Sequence, residues 1–189
     1  MAIFMTARQI LPVETSFWPA LALREEDIAR QWLEKMGQSY PAQTAAFIAA
    51  QEDPFANPVG DRARRAARAL ARVLTTPRPL PAEEEELAAA LDDLMRVRAV
   101  QALTPEEAVG SFFALKAILR ASAAAVGGGE EAAGELADLD ARVDRIVLAA
   151  FGKYSRCRET LFALRAEEIR RRHARLSRFF REAEGEDDP

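Results

Sequence analysis

The sequence predicts an all-α fold, a single-domain bundle of five to six helices with a long C-terminal helix. Three observations carry this expectation. The 189 residues hold 39 alanines but only 9 valines, 7 isoleucines and 7 threonines, a balance that favours helix over strand. Apolar residues recur at steps of three and four and never alternate, which is the pattern of one buried helix face. Prolines and capping residues stand where such runs should start and stop. A chain of this length suits one domain and can bury roughly 70% of its unfolded surface without a disulfide or metal staple.

Taken in order, residues 1–22 are apolar in places but interrupted by Arg8 and Glu14. They lack the basic start and apolar centre of a secretory signal, and read as an arm packed on the body or on a neighbouring subunit. The helical body spans 23–129. Its first helix, about Leu23 to Ser39, turns Ile28, Trp32, Leu33 and Met36 to one side, and Tyr40-Pro41 ends it, because the residue before proline avoids helical geometry. A short helix from about Pro41 to Gln51 should face Phe47 and Ile48 inward. Asp53-Pro54-Phe55-Ala56-Asn57-Pro58-Val59-Gly60 follows, with two candidate N-caps and two prolines at possible first helical positions. It predicts a turn that resets the chain and plugs Phe55 into the core.

The next helix runs to about Thr75 with Val59, Ala63, Ala66, Leu70 and Val73 inward and Arg65, Arg68 and Arg72 in water. A three-proline connector over 76–81 leads to a helix from about Ala82 to Ala102. Glu83 to Glu86 open it at the positive end of the helix dipole, and Leu87, Leu91, Leu94 and Met95 begin its buried stripe. Thr104-Pro105-Glu106-Glu107 reads as a capping box. The helix it starts carries Val109, Phe112, Phe113, Leu115, Ile118 and Leu119. After the glycines at 127–129, a long helix over 130–182 carries Leu136, Leu139, Val143, Ile146, Ala150, Tyr154, Cys157, Leu161 and Leu164. The steps alternate three and four with one stutter near Ala150, a heptad seam, with a possible bend at Gly152. Ile169, His173, Leu176 and Phe180 continue it more weakly. Residues 183–189 form an acidic tail, expected to be disordered.

The inventory of chemistry is thin. The single cysteine, Cys157, and the single histidine, His173, are 16 residues apart, about 24 Å along one helix, too far for a nucleophile and its base. No phosphate-cradling loop or metal-ligand spacing occurs, so no catalytic residue, cofactor or metal is expected. Net charge is -4, which disfavours nucleic acid as a partner of the whole surface, and no apolar run reaches the ~20 residues of a membrane span. Asp92, Asp93, Arg96 and Arg98 form a charged cluster, either a solvated helix face or a partner-docking patch. Arg165, Arg170, Arg171, Arg172, Arg175, Arg178 and Arg181 make the end of the long helix basic and amphipathic. Such a helix suits cations at a helix C-terminus, an acidic protein partner, or a membrane or nucleic-acid surface.

Several stretches also carry a resemblance when taken together: 53–60, Leu91-Asp92-Asp93-Leu94-Met95-Arg96-Val97-Arg98-Ala99-Val100-Gln101, Thr104-Pro105 with Ala108-Val109 and Phe112-Phe113-Ala114-Leu115-Lys116, and Cys157-Arg158-Glu159 followed by Arg165. The chain from about Leu23 to Arg172 resembles the N-terminal domain of RsbRD-type RsbT co-antagonist proteins. That resemblance implies a helical regulatory or sensory module, not an enzyme, with a globin-like arrangement that lacks haem and a tendency to dimerise. In full-length co-antagonists such a domain precedes a STAS domain. Here only the short tail follows the long helix, so a stand-alone module is expected.

Together these readings give a cytoplasmic, non-enzymatic signalling protein acting through protein–protein contact. It is expected to be a homodimer seamed by Val143, Ile146, Tyr154, Cys157, Leu161 and Leu164, with partner docking at Asp92, Arg96, Arg98, Arg170, Arg171 and Arg172. No nucleic acid and no stable membrane insertion are expected. Two alternatives stand beside it. One is a small-ligand sensor with a pocket of roughly 300 Å³ or more among Trp32, Phe47, Phe55, Phe112 and Phe113. The other is an adaptor docking through the basic C-terminal helix.

Overall fold

The computed structural model describes residues 17–50, 53–101, 103–126 and 131–185. Among them are seven α-helices and no strand: α1 (Phe17–Ala22), α2 (Glu25–Gly37), α3 (Ala42–Ala50), α4 (Pro58–Thr75), α5 (Pro81–Val100), α6 (Pro105–Val126) and α7 (Glu131–Gly185). Six correspond to the helices expected from the sequence. The seventh, α1, lies within the stretch read as an arm and packs on α6 and α4. The other arm residues and the acidic tail beyond Gly185 lie outside the described residues.

The main helix contacts close a ring: α2 on α4, α4 on α5, α5 on α7, α7 on α6, and α6 back on α2. Trp32 and Phe112 meet at its centre, both fully buried, with ring centroids 5.0 Å apart. Trp32 Nε1–H donates to the Ser111 carbonyl at 3.1 Å, so the indole adds burial without an orphaned donor. Helix α4 buries Ala63, Ala66, Ala67, Ala69 and Ala71. Such small side chains let α2 and α5 approach it closely on either side. Helix α6 is long and apolar enough to cross a membrane by length and composition, an exception to the sequence expectation. Here it is a core helix, burying Ala108, Val109, Phe112, Leu115, Ile118 and Leu119 between α2 and α7.

The local signals act as their chemistry dictates. The Thr104 hydroxyl accepts from Glu107 N–H at 3.2 Å and the Glu107 carboxylate accepts from Thr104 N–H at 2.8 Å, a reciprocal capping box. The Thr104 backbone N–H, and after it the Thr104 side chain, hold the Glu107 carboxyl below its ordinary pKa. At the start of α5, Glu83 accepts from Leu80 N–H at 2.8 Å. Asn57 caps α4, its Oδ1 accepting from Gly60 N–H at 2.8 Å. Its Nδ2 donates to the Ile48 carbonyl at 3.0 Å, so this one buried amide ties the end of α3 to the start of α4.

That arrangement corrects the expectation for Phe55, which is 96% exposed. The turn closes on Asp53, whose carboxylate accepts from Phe55 N–H and whose carbonyl accepts from Asn57 N–H. Asn57, two residues later, is the buried plug. Phe47 and Phe113 are also about half exposed. Of the five aromatics considered for a ligand pocket, only Trp32 and Phe112 point into the core, and they fill it against each other. That placement leaves the five aromatics without a common pocket.

Candidate functional site

Helix α7 is where the structure departs from a self-contained bundle. Its 55 residues make a rod of about 82 Å at 1.5 Å per residue, and its helical assignment continues through Gly152. The first half belongs to the body. Leu139, Val143, Ile146, Val147, Ala150 and Tyr154 are buried, and Cys157 and Leu161 pack half-buried against the same core. Polar ties fix this half as well. Lys116 pairs with Asp144 at 2.7 Å, Arg120 pairs with Asp140, and Lys153 reaches Asp92 on α5 at 3.6 Å. Arg158 donates to the Ala99 carbonyl at 3.1 Å, near the end of α5.

The expected dimer seam is therefore redistributed. Val143, Ile146 and Tyr154 are spent on the intramolecular core and face no neighbour. Cys157 and Leu161 are mostly covered by the body, and of the six only Leu164 stands in solvent. The physical reason is that a heptad seam and a core-facing helix stripe share the same spacing over a few turns, and α5 and α6 supply the cover.

A second stripe runs along the outside of α7. Leu148, Phe151, Phe162, Ile169, Leu176 and Phe180 are all exposed, and lie about 120° round the helix from the inner seam at 3.6 residues per turn. The α6–α7 ion pairs set an antiparallel register that brings exposed Phe113 of α6 level with Leu148. Sequence reasoning singled out only the later part of this stripe. The missed signal was the repeat of Leu148, Phe162, Ile169 and Leu176 at multiples of seven, hidden beside the stronger inner one.

Beyond Leu161 no other described residue covers α7. Every side chain from Phe162 to Phe180 is exposed except half-buried Glu167, a length of about 28 Å. Arg170, Arg171 and Arg172 lie on this projection, paired along the helix with Glu167 and Glu168. Such exposed pairs are worth little and exchange readily. His173 is exposed here too, and Arg158 stacks on Phe162 with 4.9 Å to the ring centroid.

The Asp92 cluster divides. Arg96 holds Asp92 at 2.7 Å, while Arg65 reaches Asp93 at 3.7 Å. Asp92 thus braces α5 against α7, and with Arg96 and Lys153 it lines a surface groove of about 410 Å³ that also contains Cys157 and Leu161. Arg98 is different, being fully buried, and its place in a docking patch is corrected. Its Nη2 donates to Ser39 Oγ at 2.8 Å and to the Glu107 carbonyl at 2.6 Å, and the guanidinium lies 5.4 Å from the Tyr40 ring centroid. Nε and Nη1 have no hydrogen-bond partner, and no carboxylate among the described residues forms an ion pair with it. Burial lowers its pKa from the ordinary arginine value, and burial likewise raises that of Tyr40. Arg98 lies in the last turn of α5, and its side chain meets the loop after α2 at Ser39 and the first turn of α6 at Glu107.

No group of three or more His, Cys, Asp or Glu side chains that could hold a metal occurs among the described residues. Comparison with family models matches residues 26–169 to the RsbT co-antagonist protein rsbRD N-terminal domain. Comparison with curated proteins and with solved structures gives no match.

Proposed function

The chain belongs to the family of RsbT co-antagonist protein rsbRD N-terminal domains, and from that membership we propose a non-enzymatic regulatory module that works in stress-response signalling through protein–protein contact along α7. The observation that carries this reading is the division of α7. Half of it completes the body, and the other half leaves the body bearing an apolar stripe that no neighbour among the described residues covers. An exposed apolar stripe of that length is costly unless a partner buries it.

A homodimer is part of the proposal, seated on the body half of the outer stripe rather than on the inner seam. Phe113, Leu148 and Phe151 supply its apolar centre. Burying three such side chains on each protomer is worth several kcal/mol at about 25 cal/mol per Å² before the cost of association. Sedimentation equilibrium at high micromolar concentration should find a dimer for the wild type and a monomer for Leu148→Glu/Phe151→Glu with unchanged helical circular dichroism. A wild-type monomer under those conditions would refute the dimer.

A further inference from the structure

The projecting half of α7 carries information about its partner in the residues that border the stripe. From Phe162 to Phe180 the stripe is a strict seam: Phe162, Ala166, Ile169, His173, Leu176 and Phe180 follow at steps of four, three, four, three and four. Of the other exposed large apolar side chains on this span, Phe179 borders the seam and Leu164 lies on the far side, a narrow face that suits a single facing helix rather than a broad lipid plane. Both shoulders are basic. Arg165 and Arg172 lie seven residues apart on one side, and Arg170 lies on the other. From Phe162 to Gly185 there are seven arginines against four glutamates, whereas residues 1–161 hold nineteen cations against twenty-three anions. The projection is thus a positive rod on a negative body.

Self-pairing over this half is electrostatically poor. A parallel pair would set Arg165 against Arg170 of the second copy, and an antiparallel pair would crowd the Arg165 and Arg172 shoulder against itself. An acidic helix has neither conflict. We propose that residues 162–180 of α7 form one strand of a heteromeric coiled coil, receiving from another protein an amphipathic helix whose seam is flanked by Glu and Asp. The proposal rests on the reading of α7 as the contact element and deepens it by giving the partner's chemistry. It does not require the dimer on the body half.

The test uses the full chain and a fluorescent four-heptad peptide with Leu and Ile in its seam and Glu on both shoulders, beside a twin with Lys on the shoulders. Anisotropy should show saturable binding of the Glu peptide, weakened by added salt, and at least about tenfold weaker binding of the Lys peptide. Arg165→Glu/Arg172→Glu, both exposed, should reverse that preference. Ile169→Asp/Leu176→Asp should abolish binding of either peptide. Equal binding of both peptides, no binding of either, or an unchanged preference in the arginine variant overturns the proposal. So does binding to phosphatidylserine-containing vesicles that the Glu peptide fails to displace, which would assign the stripe to a membrane. A wild-type dimer that ignores the Glu peptide defeats this inference alone, and a monomer that binds the peptide defeats only the dimer.

Discussion

At the scale of single residues, two side chains decide more than their neighbours. Asn57 uses both ends of its amide, one to cap α4 and one to hold the Ile48 carbonyl. Asn57→Ala should cost about 1–3 kcal/mol, since the cap and the tie to α3 go together and the Ile48 carbonyl keeps only the bond from Arg64. Gly60 is confined by that same amide, because an added Cβ would come within 2.1 Å of Asn57 Nδ2 and 2.6 Å of the Ile48 carbonyl oxygen. Gly60→Ala should therefore also destabilise the fold, by about 1–3 kcal/mol from overpacking, and urea denaturation measures both. Arg98 makes the opposite case. A buried guanidinium with two unpartnered nitrogens contributes less than a packed apolar side chain of similar length. Arg98→Met should leave the urea midpoint equal to or above that of the wild type, whereas Arg98→Ala should lower it by opening a cavity. The Glu107 carboxyl gives a pH signature. Its pKa is lowered in the folded state, so its contribution is present above the ordinary carboxylate value and is lost as pH falls through the folded one. Glu107→Gln should flatten that part of the acid limb.

At the scale of elements, helix positions were legible from caps and prolines, and faces were legible where one stripe was clearly dominant. The capping box at Thr104, the glutamates opening α5 and the ends of α4 all follow from local chemistry that tertiary packing does not overrule. Phe47, Phe55 and Phe113 were not legible, because an aromatic at helical spacing reads as core whether or not a neighbour covers it. The same ambiguity misassigned Val143, Ile146 and Tyr154 to a dimer seam, since three-four spacing cannot say which helix supplies the cover. Arg98 escaped for a related reason: a cation beside Asp92, Asp93 and Arg96 reads as surface, and only the meeting of α2, α5, α6 and α7 buries it. Truncation makes the division of α7 testable. Removing residues from Arg165 onward deletes no buried described side chain, so thermal unfolding of the shortened chain should match that of the wild type within a few degrees. Ending the chain before Tyr154 should unfold the body.

At the scale of the whole molecule, charge and cover are divided along one line. A negative helical body closes a ring around Trp32 and Phe112, and a positive helix leaves it with its apolar seam bare. The family resemblance was legible from the order of the 53–60, 91–101 and 104–116 stretches, which cap and pack the body. The docking surface was only half legible, because its residues become distinct once the body has claimed the inner seam. Hydrogen–deuterium exchange along α7 tests this division most directly. A helix end without tertiary support exchanges fast. Amides of 139–161 should be strongly protected in the free protein, while those of 165–180 exchange rapidly and slow by at least about tenfold when the Glu-flanked peptide saturates the chain. Protection of 165–180 equal to that of the body in the free protein, or fast exchange that persists with the peptide bound, would contradict the account.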